Sequence, residues 1–312
     1  MGTLSYPNAA DACHTRDPAP VPPPLLVATR GDAASDGAIE LAVAMGTASG
    51  ARVRILAVVQ PSPTLAPELT ALVALDPTEL DPKCVARAAV EAQLKRLAIP
   101  QRKVEIEIGT GDPPTIISRA ARDAQAAMIL LGADDHDLLE RLFGGDTAVR
   151  VARAADVPVL VVPRGCSHVP ESAVVAIDFS EASVRAGQVA LRLFPDLAAV
   201  HLVHVAPVPQ PALELLASMH ARYAEAAERA FEAVREAMVP PAYTVVTRQI
   251  VRGNAAREVL RAARERGVDL IVAGSHGHSA FERVLVGSVA TALLRGARVP
   301  VLVLPAEAAT HD

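Results

Sequence analysis

The 312-residue chain contains no tryptophan, and aromatic residues make up only 3% of it, so stacking platforms for single-stranded nucleic acid have almost no material. It also lacks a strong charge of either sign. The formal net charge of -5, with a pI near 6.0, excludes partners that need a broad basic surface, such as nucleic acid or an anionic membrane. Cysteine is scarce: Cys13, Cys84 and Cys166 are an odd set without C-x-x-C spacing, which argues against a disulfide framework or a zinc site and fits a reducing, cytoplasmic setting. No apolar run approaches the roughly 18 residues that span a bilayer, and the N-terminus has no basic segment followed by an apolar core. The expected location is the cytoplasm, with no membrane partner.

What the chain has in quantity is apolar material, 51% of its residues, enough for two cores at the usual domain size. Residues 1 to 24 stand apart. Pro18, Pro20, Pro22, Pro23 and Pro24 lie there among Ala, Asp and Thr, a composition expected to give an extended, poorly ordered arm.

The rest of the chain contains itself twice. Val157-Pro158-Val159-Leu160-Val161-Val162-Pro163 recurs as Val299-Pro300-Val301-Leu302-Val303-Leu304-Pro305, an offset of 142 residues. The same offset carries Gly132, Glu140, Arg141 and Gly145 onto Gly274, Glu282, Arg283 and Gly287, and Thr110-Gly111-Asp112 onto Arg252-Gly253-Asn254. Near the start of each half the offset is 148, pairing Val27-Ala28 with Val175-Ala176 and Ser35 with Ser183. The implied domains are 25–164 and 172–306, joined by a polar stretch from Arg164 to Glu171.

In the second half, apolar periodicity predicts strands over Ala173–Ile177, Ala199–Val205, Tyr243–Val251, Asp269–Ala273 and Pro300–Leu304. Between them it predicts helices over Ser183–Leu193, Leu213–Met238, Ala255–Arg266 and Ser288–Arg295. Most strands are continuous Val/Ile/Leu/Ala runs rather than alternating ones. Such runs interleaved with amphipathic helices imply a parallel sheet covered on both faces, and right-handed crossovers make each half a doubly wound α/β sandwich.

A ligand in such a fold sits at the carboxyl ends of the strands, where the winding reverses. Two segments of the second half converge there if the first and fourth strands are neighbours. One is Ile177-Asp178-Phe179-Ser180-Glu181. The other is Gly274-Ser275-His276-Gly277, nine further residues, then Gly287-Ser288-Val289 at a helix start. Glycine lets the backbone approach a bulky anion, and Ser288 adds a hydroxyl beside the free N–H groups of the helix N-terminus. A carboxylate at Asp178 suits an amino group or ribose hydroxyl, so the pair specifies a nucleotide better than inorganic phosphate. In the first half Asp178 becomes Arg30, Gly277 becomes Asp135 and Ser288 becomes Asp146. Carboxylates repel phosphate oxygens, so one nucleotide site per chain is expected.

These residues resemble the universal stress protein family, over both halves. Its nucleotide motif, Gly-x2-Gly-x9-Gly-Ser/Thr, is matched by Gly274, Gly277, Gly287 and Ser288, joined by Ala176 to Glu181 at the first strand end and by His204-Val205 at the second. The resemblance implies two tandem five-stranded parallel-sheet domains of strand order 3-2-1-4-5. It implies ATP as ligand, with Mg2+ or Mn2+ beside the phosphates, Asp178 at the adenosine end and Val205 at the base. Only Gly132 and Gly145 survive in the first half, which resembles repeats that do not bind ATP. Family members also pair through their last strands, which implies an intramolecular pseudo-dimer and allows a homodimer.

Other polar residues invite less. Ser180 is expected to cap a helix, although Asp178 could serve such a turn instead. His276 and His278 read as exposed loop residues. His201 and His204, three apart on a strand, face opposite sides and do not make a metal pair. Arg257, Arg261, Arg264 and Arg266 beside Glu258 and Glu265 read as a solvated helix face with ion pairs. Cys84 and Cys166 have no basic cluster to activate them.

Three functions remain open. The first is an ATP-binding stress-response module that regulates an unidentified protein partner. The second is a slow ATP hydrolase or a phosphoryl- or nucleotidyl-transfer enzyme, against which stand the lack of a Walker Gly-x4-Gly-Lys-Ser/Thr motif and of a Ser-Gly-Gly-x-Asp-Ser loop. The third is a nucleotide-free interaction protein. No catalytic residue is expected.

Overall fold

The computed structural model describes residues 22–60, 81–133, 147–206, 216–275 and 287–305, with the side chains of 216–222 and 224 outside that set. The first half runs β1 (Leu25–Thr29), a 3-10 turn (Ala33–Ser35), α1 (Asp36–Ser49), β2 (Val53–Val59), α2 (Pro82–Arg96), β3 (Val104–Thr110), α3 (Pro113–Asp123), β4 (Met128–Gly132), α4 (Thr147–Ala154) and β5 (Val159–Val162). The second repeats it with β6 (Ser172–Ile177), α5 (Glu181–Leu193), β7 (Ala199–Ala206), α6 (Leu216–Met238), β8 (Val245–Arg252), α7 (Ala255–Arg266), β9 (Leu270–Gly274), α8 (Ser288–Gly296) and β10 (Val301–Leu304). The strand and helix expectations hold to within a few residues at each end; residues 213–215 and the N-terminal arm up to residue 21 lie outside the described set.

The repeated Gly-Asp and Gly-Asn pairs mark one recurring turn. Gly111 and Gly253 take φ of +137° and +140°, a conformation that side chains resist. The next residue then caps the helix: Asp112 accepts from the Thr115 amide and Asn254 from the Arg257 amide. The two sites share a backbone shape as well as a sequence pattern.

Each half is a parallel sheet of order 3-2-1-4-5, and the two halves join into one ten-stranded sheet, β3-β2-β1-β4-β5-β10-β9-β6-β7-β8. The single antiparallel step is at the centre. Val301 pairs with Val161, Leu302 with Leu160 and Val303 with Val159. Because Leu160 and Leu302 are repeat equivalents, this register places the pseudo-twofold axis through that pair. Both leucines are fully buried. The central strands β1, β4, β5, β9 and β10 are buried along most or all of their length, as the continuous apolar runs require, whereas edge strand β3 alternates, with Glu105 and Glu107 outward.

Two apolar layers flank the sheet, and both draw residues from both halves. One unites Leu25, Ile39 and Leu160 with Phe194, Phe231 and Leu302; the other unites Ile129, Val151 and Val161 with Val259, Leu293 and Val303. Two shared cores predict one cooperative unfolding transition rather than two. In calorimetry, Leu302→Ala should shift that single transition down, at a cost of about 2–5 kcal/mol, without splitting it. Two resolved transitions in the wild type would show that the halves unfold independently.

Candidate functional site

Strand β6 lies between β7 and β9, so the first and fourth strands of the second half are neighbours. The registers Ile177↔His204 and Val175↔Val272 bring Ile177, Val205 and Gly274 to the same carboxyl edge. These three residues of the expected site therefore converge at the point where the winding reverses. Gly277, His276 and His278 lie outside the described residues, as do Asp135, Gly145 and Asp146 of the first half.

At the end of β9, the Ser275 amide donates to the Leu304 carbonyl at 2.8 Å, and the Gly287 amide donates to the Ser275 carbonyl at 2.6 Å. Ser275 and Gly287 are thus held against each other at the end of β9. A Cβ on Gly287 would meet the Ser275 oxygen at 3.1 Å, so this close return favours glycine. The amides of Ser275 and Gly287 are spent on closing the loop. The helix that follows, α8, begins at Ser288 and Val289 with Gly287 at its cap and no side-chain capping bond, which leaves the positive end of its dipole without a capping side chain. By contrast α5 and α7 are capped by Ser180 and Asn254. Among the second-half helices whose caps are described, α8 is the one that starts without a side-chain cap.

At the end of β6, Asp178 Oδ1 accepts from the Ser180 amide at 3.0 Å and from the Ser180 hydroxyl. Ser180 in turn caps α5, its Oγ accepting from the Ser183 amide at 3.2 Å. Ser180 has the capping role expected of it, and Asp178 shares in that turn while standing at the crevice. Between them Phe179 takes φ of +64°, a left-handed conformation costly for a side chain. Its repeat equivalent is Gly31, at φ +83°. The turn demands a left-handed residue in both halves, and only the first half supplies glycine.

An aromatic cluster offsets that strain. Phe179 lies 4.4 Å, centroid to centroid, from His204 and 5.1 Å from Phe231, the latter edge-on. Each such pair contributes about 0.5–1.5 kcal/mol, enough together to balance a left-handed residue costing about 1–2 kcal/mol. The sequence did not point to this cluster as a unit. The signal was in the repeat, where Phe179, His204 and Phe231 replace Gly31, Ala57 and Val90 in a chain very poor in aromatics.

The first half uses the corresponding space differently. Gln93 of α2 is fully buried; its Oε1 accepts from Thr29 Oγ1 at 2.8 Å, and its Nε2 donates to the Asp32 carbonyl at 2.6 Å and to Asp36 Oδ1 at 2.7 Å. Arg30, in the place of Asp178, pairs with Asp32 at 3.1 Å. A Cβ on Gly132 would come within 2.2 Å of the Ala34 carbonyl oxygen, so glycine persists there for packing alone.

His201 and His204 project to opposite faces: His201 meets Thr247 and Arg266, and His204 meets Ile177 and Tyr223. Among the described residues no group of three or more His, Cys, Asp or Glu is placed to hold a metal. Arg261 pairs with Glu258 and Glu265 along α7. Cys84 and Cys166 are free thiols, and burial pushes the Cys166 thiol up rather than activating it. Among the described residues no helix is long and apolar enough to cross a membrane.

Two tandem doubly wound domains, fused through their last strands into one sheet, define an α/β protein of the tandem-repeat kind. The profile of the universal stress protein family matches residues 23–163 and 171–305, and the chain belongs to that family. It is 32% identical over 189 residues to the universal stress protein Rv2005c of Mycobacterium tuberculosis, covering 57% of this chain and 62% of that protein, less than two thirds of its length. It is 30% identical over 139 residues to a universal stress protein of Methanocaldococcus jannaschii, covering 42% of this chain and 79% of that one. Its fold matches the crystal structure of a universal stress protein from Archaeoglobus fulgidus with a TM-score of 0.57, at 18% identity, over 91% of this chain and 96% of that one.

Two outcomes follow from this geometry. Phe179→Ala keeps the strained backbone and loses the packing, so it should destabilise the chain by about 2 kcal/mol in urea unfolding, somewhat less than a fully buried phenylalanine would. Burial first, then the Arg266 guanidinium, hold His201 below its ordinary value of 6.5. The unfolded chain therefore takes up this proton first. Stability should fall as pH drops below about 6.5 and level off once folded His201 protonates, and His201→Gln should remove that part of the pH profile.

Proposed function

We propose that this chain binds one adenine nucleotide, ATP, in its second domain and acts as a nucleotide-responsive regulator in stress response. The observation that carries this reading is the closed loop between Ser275 and Gly287, which opens onto a helix start without a side-chain cap, next to Asp178 on the neighbouring strand. Negative charge is stabilised at such a start by about 0.3–1 kcal/mol, and more where solvent is excluded.

In this reading Asp178 and Ile177 face the adenosine end and Val205 lies under the base. Gly274, Ser275, Gly277, Gly287, Ser288 and Val289 form the phosphate side. Ser275 and Gly287 shape the loop, while the amides of Ser288 and Val289 and the Ser288 hydroxyl supply donors. Mg2+ or Mn2+ bound with the nucleotide would neutralise phosphate charge. None of the described residues is poised as a nucleophile beside a base, so binding rather than rapid turnover is the favoured activity. Occupancy would alter the surface offered to a partner protein or to a second copy of the chain.

The first domain supplies the control. Titration of the full chain with ATP and Mg2+ in a calorimeter should give one site per chain. The double variant Gly277→Asp, Ser288→Asp, which copies the first domain, should weaken binding at least tenfold through like charge. Two equivalent sites in the wild type, or unchanged affinity in the variant, would refute the assignment. A wild type that binds no nucleotide would leave a nucleotide-free interaction protein, and AMP or a phosphorylated acceptor released well above background would make it an enzyme.

A further inference from the structure

The helix after the second strand is fastened to the crevice by different means in the two domains. In the first, α2 is fastened by the buried Gln93 amide, whose contacts reach Thr29, Asp32, Ser35 and Asp36, and by Arg96, which grips the Asp36 carboxylate at 2.6 and 2.9 Å. In the second, where the matching left-handed residues Ala98 and Val239 set the offset of these two helices at 141, the residue equivalent to Gln93 is the buried, apolar Val234. The polar tie there is made elsewhere, by His204.

His204 is buried, with 7% of its surface exposed, and both ring nitrogens are engaged. Nδ1 lies 2.7 Å from the Ile177 carbonyl oxygen and Nε2 lies 2.6 Å from the Tyr223 hydroxyl on α6. A carbonyl oxygen only accepts, so Nδ1 carries the proton; in the neutral ring Nε2 then accepts, and Tyr223 donates. Burial pushes the Tyr223 phenol up, so it keeps that proton at neutral pH. The ring also stacks on Phe179, and its chain neighbour is Val205. His204 thus touches Ile177 and Phe179, the residues on either side of Asp178, and adjoins the residue assigned to the base.

We infer that His204 is a positioning residue: with its proton on Nδ1, it fixes the Ile177–Phe179 turn at the base end of the crevice and ties that turn to α6 through Tyr223. This rests on the nucleotide reading for its ligand, but the tie itself does not. It makes α6 the element that senses occupancy of the second domain, while Gln93 holds α2 of the first domain in place. A ligand that presses on Asp178 or Val205 changes the geometry His204 must satisfy, and Tyr223 passes that change to the helix.

Tyr223→Phe removes one hydroxyl and leaves the ring, so the full-length variant tests the tie with little risk to folding. Nitrogen-resolved NMR of histidine-labelled wild type should show His204 protonated on Nδ1; protonation on Nε2 alone overturns the inference. In the variant, ATP affinity should fall about threefold to tenfold, the value of one hydrogen bond. Its unliganded thermal midpoint should stay within about 3 °C of wild type, as expected for roughly 1 kcal/mol in a chain of this size. ATP should slow hydrogen exchange along α6 in the wild type and lose that effect in the variant. Equal affinity together with an equal exchange response overturns the inference while leaving ATP binding intact. If the wild type binds no ATP, the proposed function falls, and the tie is judged in the unliganded chain: faster exchange of the Phe179 and Ser180 amides in Tyr223→Phe supports it, and unchanged exchange overturns it.

Discussion

An apolar strand with a bare edge invites pairing with any other, and each half of this chain ends its sheet in one. The Val-Leu-Val runs of β5 and β10 meet that liability by pairing with each other. The antiparallel step follows from symmetry: two copies of one edge, brought face to face by a twofold axis, must run in opposite directions. Once Leu160 and Leu302 mark that axis, the two sheets become one and the flanking apolar layers become continuous. The remaining edges, β3 and β8, lie at the far ends of the sheet. There charge discourages further pairing: Arg54 with Glu105 on one side, Arg248 with Glu228 and Glu232 on the other.

Symmetry in the scaffold leaves the two switch points free to differ, because each lies away from the shared seam. The divergence is concentrated where the first strand ends. Both domains need a left-handed residue there, and the choice of residue decides what else fits. Gly31 leaves so little room that a Cβ would fall 2.7 Å from that of Ala89. α2 can therefore come close enough for Gln93 to engage the backbone of the loop. Phe179 fills that space instead and packs edge-on against Phe231 of α6, the equivalent of Val90. Gly31 with Ala89, and Phe179 with Phe231, are compensating pairs. Exchanging one member alone would leave a clash or a void.

How far the sequence could be read follows the same division. Continuous apolar runs and the constant offset specified the strands, the helices and the parallel order, because burial on both faces leaves such strands no other environment. The convergence of Ile177, Asp178, Val205 and Gly274 was legible too, since topology alone brings those strand ends together. The direction of individual donors was not legible. That the amides of Ser275 and Gly287 are consumed by the Leu304 and Ser275 carbonyls depends on how the loop closes, and closure is a matter of backbone angles that a glycine permits without specifying. Nor was the partner of His204, because Tyr223 comes from a helix whose rotation about its axis is set by packing rather than by its own pattern. The repeat supplied a better guide than either motif or composition: a position where one copy has glycine or alanine and the other an aromatic ring is a position where the two surroundings differ.

The preference for binding over catalysis has the same physical root. Rapid phosphoryl transfer needs donors held rigidly about the transferred group and an activated attacking oxygen. At the second switch point the polar groups that can be followed are largely occupied with shaping the turn: Asp178 with Ser180, Ser180 with Ser183, Ser275 with Gly287. What they leave is a helix start, a hydroxyl and a well-fixed turn beside an aromatic cluster. As the proposed nucleotide site, it would register occupancy through the position of the turn. The element packed against that turn, α6, is joined to it by the His204–Tyr223 hydrogen bond and the edge-on Phe179–Phe231 contact, where α2 uses a buried amide network.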